Sequence, residues 1–126
     1  TPDDANDKWY YKLTSITTTS ADLIAGRFLD YTAVDQDTDQ TAVSTSDKVK
    51  FLFIQNTSST DGIYICLDGD TAANNLVDGI FIGPSQTFCG RFPNTTVGNL
   101  HAISSDIGDV GDASVTAIVC ALIDDV

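Results

Sequence analysis

The stretch V-K-F-L-F-I-Q-N-T (Val49–Thr57) is followed closely by G-I-Y-I-C-L-D-G-D (Gly62–Asp70) and D-G-I-F-I-G-P (Asp78–Pro84), and these three runs decide the fold. Each run is short, rich in Ile, Phe, Tyr and Val, and closed by Asn, Asp, Gly or Pro, which is typical of strands that end in turns. The other segments can be placed as strands that pair with this core. The pattern predicts an all-β protein.

The first run is apolar on both of its faces. Val49, Phe51 and Phe53 alternate with Leu52 and Ile54, so the two sets of side chains point in opposite directions. A strand with two apolar faces is expected in the middle of a sheet, with a covering layer on each side.

The last apolar run, Ser114–Ile123, is the most apolar strand that the sequence predicts. Its two faces consist of Val115, Ala117, Val119, Ala121 and Ile123 on one side, and of Ile118, Cys120 and Leu122 on the other. Because so apolar a strand is unsuited to a sheet edge that faces water, we expect it in the middle of a sheet.

The remaining segments carry weaker strand patterns. Lys8–Thr19 alternates and predicts a half-exposed strand, whereas Ala21–Tyr31 fits either a strand or a single turn. Asp35–Asp47 is a long polar loop, and Gln86–Phe92 and Leu100–Ser104 are two further strands. Strands at this spacing favour an antiparallel, jelly-roll-like β-sandwich.

The chain of 126 residues fits one domain with a core of its own. Residues 1–8 are predicted as a flexible, extended N-terminal arm, and residues 9–126 as the β-sandwich domain. The sequence has no signal-like apolar start and no run long enough to span a membrane. This favours synthesis in the cytoplasm without a cleaved signal, although a processed N-terminus would look the same.

The charge is strongly acidic, with 18 acidic residues against six basic ones and a formal net charge of −12. Every acidic residue is Asp, which is a turn former with poor helix propensity, so the charge is expected in loops. Such a chain is unsuited to nucleic acid, which needs Lys and Arg to replace phosphate counterions. The acidity favours solubility, metal cations or a basic protein partner, and solubility is the simplest explanation.

The three cysteines, Cys66, Cys89 and Cys120, each lie in an apolar run. The preferred interpretation is three buried thiols that behave as small hydrophobic side chains. A disulfide that joins Cys120 to Cys66 or to Cys89 is the alternative, and the sequence does not choose between them.

Two acidic clusters resemble the beginnings of metal sites. Asp35, Asp37 and Asp39 begin like a calcium loop, but Gln40 and Ser46 stand where an EF-hand has Gly and Glu. The tripeptide D-G-D at 68–70 ends a strand, and a turn explains it as well as a shared cation does. The sequence therefore predicts no metal site and no cofactor.

His101 is the only histidine. Ser104, Ser105 and Asp106 lie near it in the sequence, but no G-x-S-x-G nucleophile elbow is present. A hydrolase would need His101, a Ser and an Asp to converge through folding alone. We expect a structural or interface histidine and no catalytic residue.

Two tripeptides, Asn56-Thr57-Ser58 and Asn94-Thr95-Thr96, match the N-glycosylation acceptor pattern. The pattern is short and common, and both tripeptides lie where a turn is expected. We interpret them as turns.

A resemblance to known proteins rests on the order of these runs: V-K-F-L-F-I-Q-N-T, G-I-Y-I-C-L-D-G-D and I-F-I-G-P, then N-L-H-A-I-S-S and S-V-T-A-I-V-C-A-L-I-D-D-V. Over residues 48–126 the chain resembles the small virion structural proteins of tailed bacteriophages, particularly the head decoration (cement) proteins of marine cyanophages. The resemblance implies a β-sandwich or jelly-roll subunit, often trimeric, that binds the major capsid protein on the outside of the head. It implies no catalytic residues.

Five residues are predicted to contact partners: Trp9, Tyr10, Tyr11, Arg27 and Arg91. Aromatic side chains dominate interface energetics, and the two arginines are rare cations in an acidic chain. For Trp9 the alternative is a cap on the core of its own subunit. Other hypotheses are a tail, fibre or baseplate protein and a carbohydrate-binding module, with an enzyme last.

Overall fold

The computed structural model describes residues 7–29, 40–69, 79–92, 95–105 and 114–124. These residues form ten strands and one single-turn 3₁₀ helix, Val97–Asn99. The strands are β1 (Asp7–Ile16), β2 (Ala21–Asp22), β3 (Arg27–Leu29), β4 (Gln40–Ala42), β5 (Lys48–Asn56), β6 (Gly62–Cys66), β7 (Ile80–Ile82), β8 (Thr87–Gly90), β9 (His101–Ser105) and β10 (Val115–Asp124).

The strands form two antiparallel sheets, so the predicted all-β, sandwich-like fold is confirmed. One sheet has six strands in the order β4-β3-β1-β10-β5-β8, and the other has four in the order β2-β9-β6-β7. Strands from the two halves of the chain pair in a nested series: β1 with β10, β2 with β9, β5 with β8, and β6 with β7. Apolar side chains from both sheets meet in one core.

The central strand of the larger sheet is β10, as predicted. It pairs with β1 along ten residues and with β5 on its other side. The face that it turns to the core is almost fully buried and consists of Val115, Ala117, Val119, Ala121 and Ile123. The alternation in the sequence therefore predicted the place of this strand and the two sets of side chains, and the structure shows which set faces the core.

A bulge in β5 corrects the prediction for this strand. Ile123 pairs with Val49 and Leu122 with Phe51, so Lys50 is an extra residue on β5. A bulge reverses the alternation locally, and Val49 is fully buried on the core side. Val49 and Phe51 therefore lie on opposite faces, against the prediction. Phe51 remains 37% exposed, so β5 is not covered on both sides.

The smaller sheet is built around β6, in which all five residues are buried. Phe81 on the neighbouring strand packs its ring against Tyr64, with 4.9 Å between ring centroids. The same ring occupies the space where a side chain at Gly62 would begin. Glycine is needed at position 62 because a close-packed aromatic ring replaces its missing side chain.

Several predicted segments differ from the structure in detail. The ambiguous segment Ala21–Tyr31 contributes the short strands β2 and β3 and no helix among its described residues. The predicted polar loop, Asp35–Asp47, contains β4 in its middle. β1 begins at Asp7, so residues 7 and 8 of the predicted arm pair with β10. Residues 1–6 lie outside the described part of the chain.

The side chain of Asn56 connects the two sheets at the end of β5. Asn56 is fully buried, and its Nδ2 donates to the carbonyl oxygens of Asp61 at 2.8 Å, Gly83 at 3.1 Å and Ile82 at 3.3 Å. Its Oδ1 accepts from the backbone N–H of Ser58 at 2.9 Å. One amide therefore holds the end of β5, the entry to β6 and the exit from β7.

Replacing Asn56 with Ala should lower the free energy of unfolding by about 2–5 kcal/mol, because several buried backbone groups lose their partner at once. Urea unfolding of the purified chain measures the effect. Ser59→Ala, in the exposed loop beside it, is the control and should change stability by less than about 0.5 kcal/mol. Equal stability of the two variants would contradict the role given to the amide.

Candidate functional site

The most distinctive surface of the protein is the side of the six-stranded sheet that faces away from the core. We call it the outer face. It consists of Trp9, Tyr11 and Leu13 in β1, Ile118, Cys120 and Leu122 in β10, Phe51 and Phe53 in β5, and Cys89 in β8.

The strand register arranges these side chains in continuous rows. Trp9, Leu122 and Phe51 lie opposite one another across three strands. A second row runs across four strands through Tyr11, Cys120, Phe53 and Cys89, and a third joins Leu13 to Ile118. Because directly opposite side chains in a sheet are in contact range, the rows form one apolar surface.

The outer face is exposed to a degree that is unusual for apolar residues. The exposed fractions are 45% for Trp9, 67% for Tyr11, 59% for Leu13 and 37% for Phe51. Taking roughly 200 Å² for a large side chain, these four residues alone expose about 400 Å². A patch of this size is near the largest that a soluble monomer usually exposes, and such patches are often functional.

Trp9 and Tyr11, two of the predicted interface residues, lie on the outer face. Trp9 does not belong to the buried core, so it does not cap the core of its own subunit. On β3, Leu29 pairs with Trp9, and Arg27 lies two residues before Leu29. Alternation therefore directs Arg27 to the side of the sheet that carries Trp9. Arg91 follows β8 directly and is two residues beyond Cys89. Both arginines are exposed.

Tyr10 is the exception among the predicted interface residues. Its side chain points into the core and is 1% exposed, because alternation in β1 places it opposite to Trp9 and Tyr11. The phenol oxygen donates to the carbonyl oxygen of Ala25 at 3.2 Å, and burial raises the pKa of the Tyr10 phenol. Tyr10 is therefore a core residue and offers no surface to a partner.

The outer face carries little of the acidity of the chain. Among the residues whose side chains are described, Asp124 at the end of β10 is the one carboxylate that alternation places on the outer face. Its Oδ2 lies 3.8 Å from the Nζ of Lys50. Asp22, Asp47 and Asp61 lie in other parts of the fold. The described outer face therefore has no unbalanced carboxylate, and Arg27 and Arg91 add positive charge at its margin.

The cysteines form no disulfide, and only one of them matches the prediction of burial. Cys66 is buried, Cys120 is partly exposed and Cys89 is exposed. The prediction for Cys89 and Cys120 is wrong because both point to the outer face, where no second layer of the chain covers them among the described residues. Burial by neighbouring side chains raises the pKa of the Cys120 thiol.

A second polar site surrounds His101 at the edge of the smaller sheet. Its Nε2 lies 3.1 Å from Oδ1 of Asp22 and 3.2 Å from the carbonyl oxygen of Gly98, and its Nδ1 lies 3.3 Å from Oγ of Ser20. Because both neighbours of Nε2 are acceptors, Nε2 carries the proton. In the neutral ring, Nδ1 then accepts from the Ser20 hydroxyl.

This arrangement places a hydroxyl, an imidazole and a carboxylate in series, which is the bonding order of a nucleophilic triad. The two ring nitrogens are exchanged, because here Nδ1 faces the hydroxyl and Nε2 faces the carboxylate. The neighbouring pocket is shallow, with a volume of about 100 Å³, and Asp22 lines it while Ser20 and His101 do not. A molecule in this pocket would therefore meet the carboxylate and not the hydroxyl. The contacts also join β2, β9 and the 3₁₀ helix, which suits a structural role.

The remaining candidates form no site among the residues that the structure describes. Among the described residues no three His, Cys or Asp side chains are grouped to hold a metal ion, and no helix is long and apolar enough to cross a membrane. Gly69 has a φ of +82°, in keeping with the predicted turn. Asn56 is buried and bonded, so its side chain is not available as a glycan acceptor. Residues 35–39, 70, 94 and 106 lie outside the described ranges.

Comparison of the chain with models of protein families, with curated proteins and with solved structures finds no significant match.

The thiols provide a direct test of the outer face. We expect Cys89 to react first with a maleimide, Cys120 more slowly, and Cys66 only after unfolding. Since a raised pKa leaves less thiolate near neutral pH, the rate at Cys120 should keep rising above the ordinary thiol pKa of about 8.5. Mass spectrometry of the labelled peptides measures the order. Reaction of Cys66 before Cys89 would contradict the assignment of the faces.

Proposed function

We propose that this protein is a virion structural protein, a capsid decoration subunit that binds the outside of the major capsid lattice and stabilises the head. The observation that carries the proposal is the outer face, an exposed apolar surface of the kind that often marks a contact with another protein. The protein acts by binding and makes or breaks no bond. The family resemblance over residues 48–126 supplies the identity of the partner.

We propose also that the two sheets are connected as a jelly roll. The support is the nested pairing of β1 with β10, β2 with β9, β5 with β8 and β6 with β7, divided between two sheets. Such pairing results when one long antiparallel ribbon wraps across two layers, with β3 and β4 added beside β1. Jelly rolls are frequent among viral capsid proteins and lectins.

Purified protein mixed with heads assembled without it should bind until a fixed number of copies per head is reached. Binding assays by sedimentation, with heads that already carry the protein as the control, measure the stoichiometry. Absence of binding at micromolar concentration would contradict the proposal. Imaging of the particle separates a head protein from a tail, fibre or baseplate protein, which is the alternative position in the virion.

A hydrolase is the second candidate, because Ser20, His101 and Asp22 meet in the bonding order that ester cleavage uses. In such a reaction the Ser20 oxygen would attack the ester carbonyl while Nδ1 of His101 takes its proton and returns it to the leaving alcohol. The structural role predicts instead that wild type and Ser20→Ala cleave p-nitrophenyl acetate at the same slow rate. A rate lost in both Ser20→Ala and His101→Ala, with folding intact, would favour the hydrolase.

A further inference from the structure

We propose that two copies of the chain associate face to face through their outer faces, about a two-fold axis. This inference rests on the proposed function, in which the protein acts by binding, and it names the partner of the outer face as a second copy. It differs from the trimer that the family resemblance implies. Pairing and binding to the capsid would then compete for the outer face.

The distribution of apolar residues favours self-association. All large hydrophobic side chains that are exposed among the described residues, namely Trp9, Tyr11, Leu13 and Phe51, lie on the outer face. A three-fold ring needs contacts between two different complementary patches, whereas a two-fold pair needs only one patch that matches itself. The described surface offers one such patch, so a two-fold pair is the assembly that it supports.

The charge distribution leads to the same arrangement. Two chains of formal charge −12 repel each other in most orientations. On the described outer face, the carboxylate of Asp124 lies beside Lys50, and Arg27 and Arg91 flank the apolar rows. Repulsion between carboxylates is therefore least when the outer faces meet.

The geometry suits a face-to-face contact, and the apolar area approaches what a stable contact needs. Two sheet faces pack at a separation of about 10 Å with their side chains interdigitated, as the layers of a sandwich do. Two outer faces bring together about 800 Å² of large apolar side chains, before flanking residues are counted. Stable interfaces begin near about 1,200 Å² in total, and the partly exposed Phe53, Ile118 and Cys120 add to the area.

Sedimentation equilibrium of the purified full chain, without any capsid protein, tests the inference. At chain concentrations of about 200 µM we expect the mass of two chains, which requires a dimer dissociation constant below that concentration. Tyr11→Asp should raise the dimer dissociation constant by about 100-fold or more, because each dimer loses the most exposed of the large apolar side chains twice and would bury two added charges. Leu13→Gln, at a second exposed position, should act in the same direction.

The matched control is Thr18→Asp, which adds the same charge in an exposed bend after the chain has left β1. It should leave the dissociation constant unchanged within about threefold, since a surface substitution away from the contact has little effect. Thermal unfolding of all variants shows that they remain folded. A mass of one or three chains for the wild type, or equal effects of Tyr11→Asp and Thr18→Asp, would overturn the inference.

Thiol labelling distinguishes this inference from the proposed function. In a face-to-face pair, labelling of Cys89 and Cys120 slows as the concentration of the isolated protein rises, and this effect disappears in Tyr11→Asp. If the isolated protein is a monomer and the two thiols are protected only on heads, the capsid proposal stands and the inference is wrong. If the protein pairs but binds no heads, the inference stands and the capsid proposal is wrong.

Discussion

The hydrogen-bonded pairing of β10 on both of its sides is the constraint on which the rest of the structure depends. Its ladder with β1 extends over ten residues, and β5 occupies its other edge. Once both ladders form, alternation directs Ala117, Val119 and Ala121 into the core and forces Ile118 and Cys120 to the opposite side. The apolar outer face is therefore a direct consequence of the same register that builds the core.

A central strand with two apolar faces is stable when both faces are covered. The chain supplies one covering layer, the four-stranded sheet, and Asn56 holds the two layers at their common end with a fully buried, multiply bonded amide. The loss of any one hydrogen-bond partner of a buried amide is strongly destabilising. The amide therefore favours the one arrangement of the two layers in which all of its hydrogen bonds form. The described residues provide no comparable layer for the outer face.

The sequence predicted the strands wherever alternation extends over several residues, as it does in β5 and β10. It did not predict β4, whose three residues Q-T-A carry no apolar signal. It also missed the bulge at Lys50, because an extra residue is defined only by the partner strand. The prediction that Cys89 is buried failed because an apolar run does not show which of its two faces is covered.

The two sites were predictable to different extents. The outer face was visible as a second apolar set in β5 and β10, and the error lay in assuming that the chain itself covers that set. The contact of His101 with Ser20 and Asp22 left no trace in the sequence, because about 80 residues separate the partners and only the pairing of β2 with β9 brings them together. Long-range contacts of single polar residues have no local pattern.

Acidity and the apolar outer face act together to make association selective. An exposed apolar sheet face invites unspecific contacts, yet a formal charge of −12 repels acidic chains at long range. At physiological salt the Debye length is about 8 Å, so the charges that matter in a contact are those close to the two surfaces. The repulsion is therefore weak only when those surfaces carry no unbalanced carboxylates. The described outer face meets that condition, since Asp124 is balanced by Lys50. The surface with the strongest apolar attraction is thus also the one at which charge opposes contact least.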